Sequence, residues 1–468
     1  MHLSPGAKNK APYVYAVPVT DRWLLYAPVA QFVAVVNTAA VRDTSRLLTT
    51  GIASLDLPPE LNALAELAGE EGRQDPVKRR GPLAPLFLGI IPSRRCNMSC
   101  SYCSFGRGTP QKQVMSVATA VKAVEFMASY CESLGRKEYE IQFFGGEPLV
   151  EDRIIDTVVH HARLLASRTG ILPTFAVSTN GLMTPDRKRF VGDYFTKVVL
   201  SLDGFREFHD QYRPISHTRG SFDEVVETAR FLSTSQAQLC IRCCVTSQSV
   251  HHMESIARWF CEEFHPAVVN FEPMTESSES RVAGLAPPRP HDFARHALRS
   301  WNILRAHGAE PASASVLAEG LQSSSCPVGK DAIIVHPDGT IASCYLMAAD
   351  WQARGMDLTI GKICDDGSVD IRMRDVLRLR RAVQKKPRCE NCFCRLTCAG
   401  SCHVNISYPG CQDSYEDSCV ATRALTACTL LEELGHADFA DDIIANPDAI
   451  DSLSGPASDL VTDYVELG

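Results

Sequence analysis

No stretch of the 468-residue chain holds the ~18 consecutive apolar residues that a membrane-spanning helix needs. The opening Met1-His2-Leu3-Ser4-Pro5-Gly6 also lacks the apolar core of a secretory signal. The expectation is a cytoplasmic protein with no membrane partner. Basic excess is missing as well: 47 Lys and Arg stand against 55 Asp and Glu, a formal net charge of −8. A protein whose main task is gripping phosphates needs the opposite sign, so nucleic acid is not expected as a partner. Two local basic runs, Lys78-Arg79-Arg80 and Lys385-Lys386, read as solvated surface. There is no convincing internal repeat.

Cysteine, by contrast, is abundant: 19 residues, many of them crowded together. Structural disulfides are not expected in a reducing compartment, so clustered thiols point to metal or iron–sulfur ligation. The isolated Cys131, Cys240 and Cys261 read as small buried hydrophobes. The chain is too long for one core of common size, and two or three domains are expected. Residues 1–80 read as a small α+β domain, with β-rich "YVYAVPV" and "RWLLYAPVAQFVAVVN" turning near Asp21-Arg22 and a helix in "PPELNALAELAGEE". A linker rich in breakers covers about 71–82. Over 83–275 the short apolar runs "LFLGII", "YEIQFF", "PTFAVST", "KVVLSL", "LCIRCCV" and "AVVNFEP" alternate with helical stretches. That is the pattern of βα units with buried parallel strands. It predicts an α/β fold built on a partial (β/α)6 TIM-like barrel. Residues 276–325 hold one expected helix, "HDFARHALRSWNILRAHG". Residues 326–430 form a cysteine-rich domain with a hairpin at Asp338-Gly339, and 431–468 read as an acidic tail.

The first cysteine cluster has Cys96, Cys100 and Cys103 in a C-x3-C-x2-C spacing directly after the first of those strands. In a barrel, loops after strand C-termini form the active face. Three thiolates there can hold three irons of a [4Fe–4S] cubane and leave the fourth iron open to a substrate group. The competing reading is zinc, which wants a fourth ligand from elsewhere. Three further motifs end the second, third and fourth strands: "GGEP" (Gly145, Gly146, Glu147, Pro148), "STNG" (with Ser178 and Asn180) and "SLDG" (with Ser201 and Asp203). Each alone is a turn; in succession they place small polar groups where one ligand can touch all of them.

This order of motifs resembles the radical S-adenosylmethionine (radical SAM) superfamily. The resemblance implies that the open iron chelates S-adenosylmethionine, and that a 5'-deoxyadenosyl radical then takes hydrogen from an unactivated C–H bond. It places "GGEP" at the methionine amino group, with Gly145 and Gly146 letting backbone come close and Glu147 able to accept hydrogen bonds. It places Ser178, Asn180, Ser201 and Asp203 at the ribose hydroxyls and methionine carboxylate, and Tyr102 near adenine. Arg242, on the fifth strand, is either a partner of the cofactor carboxylate or half of a structural ion pair.

Farther along, Cys326, Gly339-x4-Cys344, Cys389-x2-Cys392-x5-Cys398-x3-Cys402 and Cys419 resemble the SPASM extension found in that superfamily. The two resemblances together cover about 85–430 and imply three [4Fe–4S] clusters, one binding S-adenosylmethionine and two auxiliary. By position, Cys389, Cys392, Cys398 and Cys419 would hold the outer auxiliary cluster, and Cys326, Cys344 and Cys402 the inner one. That is one thiolate short. Either the inner cluster keeps an open iron for a substrate thiolate, or Cys364, Cys394 or Cys411 completes it. A zinc ribbon around Cys389 and Cys392 is the plainer alternative.

SPASM-bearing enzymes mostly modify peptides or proteins. The expected function is maturation of a ribosomally made precursor peptide with a leader, through hydrogen abstraction and an intramolecular thioether or carbon–carbon crosslink. An external electron donor such as flavodoxin or ferredoxin is expected as a second partner. Residues 1–80 would add the leader as an extra strand, or else cap the open barrel edge. Two other functions stay open: oxidation of a protein as by an anaerobic sulfatase maturase, and a non-catalytic iron–sulfur electron carrier. No residue stands out as a catalytic base.

Overall fold

The computed structural model describes residues 14–50, 81–85, 87–103, 105, 113–313 and, with short interruptions, 316–446. The helix expected in 58–71, most of the linker at 71–82, both basic runs and Cys411 lie outside the described residues.

Near the N-terminus, β1 (Tyr15–Val19), β2 (Arg22–Ala27) and β3 (Phe32–Val36) form an antiparallel meander in the order β1-β2-β3. Alternation along the strands gives this sheet two apolar faces. Val14, Ala16, Trp23 and Leu25 pack with Val41 of the helix Thr38–Thr50. Tyr15, Val17, Val19, Leu24 and Tyr26 join the main core of the protein. The small sheet is therefore held between its own helix and the rest of the molecule.

The second sheet has eleven strands. It contains β4 (Phe87–Ile90), β5 (Glu138–Phe143), β6 (Leu172–Thr179), β7 (Lys197–Ser201), β8 (Gln238–Val245) and β9 (Val268–Pro273), followed by β10 (Glu310–Ala312), β11 (Ile333–Val335), β12 (Thr340–Ala342), β13 (Thr359–Ile363) and β14 (Val369–Ile371). Their order is β10-β9-β8-β7-β6-β5-β4-β11-β12-β13-β14. The six expected strands, β4 to β9, are present and parallel. The sheet runs on past both edges, however. β10 adds in parallel to β9 and β11 in parallel to β4, and an antiparallel meander continues through β14. The hairpin at Asp338-Gly339 is thus continuous with the barrel sheet, because Ile333, Ile334 and Val335 supply another buried apolar strand.

Register assigns the faces. Leu88, Ile90, Ile141, Phe143, Phe175, Val177, Val198, Leu200, Ile241, Cys243, Val269 and Phe271 alternate onto one side and are buried. Helices such as Val117–Ser133, Asp152–Thr169, Phe222–Ser233 and Met253–Phe264 follow the strands and bury their own apolar stripes. The opposite face is polar, with Gln142, Ser178, Ser201, Arg242, Asn270 and Glu272 along it. A further helix, Pro185–Tyr194, is one the apolar pattern does not announce. Its buried cations are neutralised by neighbours: Arg187 Nη1 donates to Asp156 at 2.5 Å, with Asp152 Oδ1 at ion-pair distance, 2.9 Å from Nε, and Lys188 Nζ donates to Glu227 at 2.9 Å.

Cys131, Cys240 and Cys261 are buried, as expected of small hydrophobes. The acidic tail expected from 431 onward needs correction. Residues through 446 continue the helix Gln412–Glu433 and form the helix Ala437–Ala445, burying Leu431, Ala440, Ile443 and Ile444. The acids lie between those apolar positions and hide their helical period. Arg295, on the helix Pro290–Ala306, donates to the Ile444 carbonyl at 2.6 Å. Among the described residues no helix is long and apolar enough to cross a membrane.

Candidate functional site

The loop after β4 carries Cys96, Cys100 and Cys103, and backbone hydrogen bonds fix it on two sides. Ser99 N donates to the Pro214 carbonyl and Ser101 N to that of Tyr212, both at 2.8 Å. Glu147 N donates to the Arg95 carbonyl at 2.8 Å. The glycines of "GGEP" make that approach possible. A Cβ on Gly146 would meet the Arg95 carbonyl oxygen at 2.3 Å, and one on Gly145 (φ +151°) would meet that of Ser93 at 2.6 Å. The backbone brought close by Gly145 and Gly146 is thus the cysteine loop itself.

Cys96 is exposed, Cys103 half-buried and Cys100 buried. Each of Cys96 and Cys100 lies within the field of its neighbours. Burial pushes the Cys100 thiol up to about 12, against a downward pull from Arg213, and burial also raises Cys96. Three close thiols suit a multiply charged iron core, which deprotonates the thiols it binds. The donor set fits a [4Fe–4S] cluster. Among the described residues, no three His, Cys, Asp or Glu side chains are grouped as ligands of a single metal ion.

The polar motifs are knotted to the loop and to one another. Glu147 is fully enclosed; its Oε1 accepts from Leu149 N (3.1 Å) and Thr179 Oγ1 (2.9 Å), and its Oε2 from Asn180 N (2.7 Å). Burial raises this carboxyl to about 7. The expected acceptor for a cofactor amino group is therefore already engaged, clamping the end of β5 to the end of β6. Pro148 is buried and opens the single 3-10 turn that follows. Asn180 likewise donates to Asn97 Oδ1 at 2.8 Å and reaches Cys96 Sγ at 3.6 Å. Ser178 and Ser201 lie half-buried on the polar face of the sheet.

A second knot joins residues that were expected to contact the cofactor separately. Asp203 Oδ2 accepts from Tyr102 Oη and from Arg213 Nε, each at 2.7 Å, while its Oδ1 accepts from Cys244 N at 2.9 Å. The Arg213 guanidinium also lies 5.3 Å from the centroid of the Tyr102 ring. His209 Nδ1 accepts from Asp203 N at 3.1 Å and Nε2 faces Ser221 Oγ at 3.0 Å. Burial pushes that imidazole down to about 4. Sequence reading missed Arg213 and His209. The available signal was Asp203 itself, since a buried carboxylate requires a cation or several donors. Arg242 donates to Glu272 across β8 and β9, which makes it half of an ion pair.

In the cysteine-rich region, Cys389, Cys392 and Cys398 lie in one another's field, and Cys392 N donates to the Cys389 carbonyl at 3.2 Å. Hydrogen bonding from Cys394 and the charge of Arg423 pull the Cys392 thiol down. Cys419 is half-buried on the helix that carries Arg423. Cys326 follows Gln322, whose backbone N donates to Leu396 and whose side chain donates to the Thr397 carbonyl, so its segment docks on the turn leading to Cys402. Two contacts tie Cys344 to the first loop. Arg94 Nη2 lies 3.4 Å from His336 Nδ1, and His336 Nε2 lies 3.2 Å from the Cys344 carbonyl. In parallel, Phe105, Phe144 and Tyr345 form a chain of rings with centroids 5.5 and 4.8 Å apart.

Residues 90–260 match the family model described as the Radical SAM superfamily. The cysteine-type anaerobic sulfatase-maturating enzyme of Clostridium perfringens (strain 13 / Type A) is 23% identical over 357 residues, covering 72% of this chain and 92% of that protein. The radical SAM cyclopropyl synthase TigE of Paramaledivibacter caminithermalis is 28% identical over 157 residues, 31% of each chain. Among solved structures, native anSMEcpe with bound AdoMet and Cp18Cys peptide superposes with a TM-score of 0.59 at 19% identity, covering 75% of this chain and 99% of that one. This last likeness concerns the fold.

Proposed function

We propose that this chain, which carries a radical SAM domain over residues 90–260, matures a ribosomally made peptide by taking a hydrogen atom from it and crosslinking two of its residues. The observation that carries the reading is the loop after β4: three neighbouring thiols, clamped by "GGEP" and flanked by the polar ends of β6 and β7. Cys96, Cys100 and Cys103 would hold the first [4Fe–4S] cluster. With S-adenosylmethionine bound, that cluster supplies a 5'-deoxyadenosyl radical. The protein's own part is positioning and exclusion of water. Glu147 fixes the loop spacing, and Asp203 with Arg213 orients Tyr102 as the wall of the cofactor site. Ser178, Ser201 and Arg242 offer polar contacts on the sheet face. Cys389, Cys392, Cys398 and Cys419 would hold the outer auxiliary cluster, and Cys326, Cys344 and Cys402 the inner one, making three. The linkage is a thioether or a carbon–carbon bond, and a flavodoxin or ferredoxin would supply electrons.

The N-terminal meander supports a peptide substrate. Among the described residues β3 pairs only with β2, so its outer edge offers backbone groups to a leader strand. Hydrogen exchange tests this: a bound precursor should protect Phe32–Val36. A precursor from a neighbouring short reading frame, co-expressed with the protein, should lose two hydrogens per crosslink in its mass spectrum. An unchanged mass, despite 5'-deoxyadenosine formation, would reject crosslinking.

A second reading is oxidation of a protein residue, favoured by the length shared with the sulfatase-maturating relative. It predicts turnover of a sulfatase-derived peptide without any effect at β3. A bare electron carrier would form no 5'-deoxyadenosine at all.

A further inference from the structure

The 17 residues from Arg372 to Arg388 hold eight basic side chains and one acidic one, Asp375, in a chain whose net charge is −8. The helix Met373–Ala382 opens this stretch. Its inner side, with Val376, Leu379 and Arg380, is buried, and the helix packs on β13. Arg380 anchors it. Its Nε donates to Asp331 Oδ1 at 2.8 Å, its Nη1 to the Gly81 carbonyl at 2.8 Å and its Nη2 to that of Pro82 at 3.0 Å.

With 3.6 residues per turn, the exposed positions fall on one half of the helix: Met373, Leu377, Arg381, Arg374 and Arg378, in that order around the axis. Met373 is 37% and Leu377 41% exposed, so two large apolar side chains lie open beside three guanidinium groups. Asp375 is shared by Arg372 and Arg378, whose Nε atoms each lie 3.4 Å from one of its oxygens. Among the described residues, Arg374 and Arg381 have no carboxylate at ion-pair distance. Arg and Met are the side chains that protein interfaces favour, with charge steering the encounter and apolar contact holding it.

Position selects the partner. In sequence, seven residues lead from Ala382 to Cys389, the first thiol of the proposed outer set, and they can span no more than ~25 Å. The acidic remainder of the chain repels nucleic acid, and the leader peptide has its own proposed edge at β3. Encounters between redox proteins bury little surface, which one helix face can supply.

We propose that the exposed face of the helix Met373–Ala382 docks an acidic electron-carrier protein. The inference rests on the iron–sulfur reading above and adds the place where its electrons arrive. On contact the carrier loses one electron, an iron–sulfur cluster of this chain gains it, and no bond or proton moves.

The test uses the full, reconstituted chain and an acidic flavodoxin carrying a fluorescent dye. Anisotropy should report binding that weakens as salt is raised. Arg374→Glu with Arg381→Glu should raise the Kd about tenfold or more at low ionic strength, and Arg374→Lys with Arg381→Lys should leave it near the wild-type value. In stopped flow, flavodoxin hydroquinone should reduce the charge-reversed protein about tenfold more slowly than the wild type. Reduced methyl viologen, a small cation, should reduce it no more slowly. An affinity that ignores charge reversal would overturn the proposal. So would tighter binding of a single-stranded oligonucleotide, or of phosphatidylserine vesicles, than of the flavodoxin. Binding needs neither S-adenosylmethionine nor a precursor peptide, so it stands apart from the 5'-deoxyadenosine assay on which the broader reading depends.

Discussion

The two cysteine regions are built on opposite principles. Around Cys96, Cys100 and Cys103 the protein itself supplies the order: backbone bonds on two sides, the glycine approach at Gly145 and Gly146, and the carboxylates Glu147 and Asp203 buried among donors. Around Cys389 to Cys402 the described chain is a run of turns with little regular structure, and the cysteines are what its turns have in common. The first region should hold its shape before a cluster binds. The second should owe much of its shape to ligation, because metal binding to an otherwise weak fold is folding free energy.

The sharpest way to break this comparison is to withhold iron. Apo protein, or a Cys389→Ala/Cys392→Ala variant, should lose hydrogen-exchange protection across 392–402 and the start of the helix Gln412–Glu433, while β4 to β9 stay protected. Equal loss in both regions would remove the distinction. Next in size is Arg213→Met. It leaves Asp203 buried without its cation, and denaturant unfolding of the barrel should register a loss of ~3–5 kcal/mol.

His209 gives a pH test of the same knot. Its folded-state value is depressed to about 4, so the folded protein binds fewer protons there than the unfolded chain does. Its contribution is full above the ordinary imidazole range and is lost as pH falls through that range toward about 4. The slope is at most ~1.4 kcal/mol per pH unit, and His209→Asn should flatten that limb. The smallest expected effect is Arg242→Ala. The pair with Glu272 is half-exposed, so stability should change by less than ~1 kcal/mol. A change in KM at unchanged stability would then mark Arg242 as a substrate contact.

Much of the barrel was legible because parallel strands buried on one face and helices of 3.6 periodicity leave strong signals. β10 and the continuation through β11 to β14 were less so, since strands of three residues carry little pattern. The helix Pro185–Tyr194 escaped because its inward residues include Arg187 and Lys188, whose burial depends on carboxylates distant in sequence. Spacing singled out the cysteines and the strand-end motifs as candidates. It did not reveal that Glu147, Asn180, Tyr102 and Asp203 bond chiefly to one another and to the loop. Such contacts depend on which strand ends meet in space, and no local pattern encodes that.

The most direct test of the central claim is to incubate anaerobically reconstituted, chemically reduced protein with S-adenosylmethionine and quantify 5'-deoxyadenosine. The account predicts formation by the wild type and none by Cys96→Ala, Cys100→Ala or Cys103→Ala. Undiminished product from any of these variants, or a wild type that binds iron fully and yields none, would contradict it.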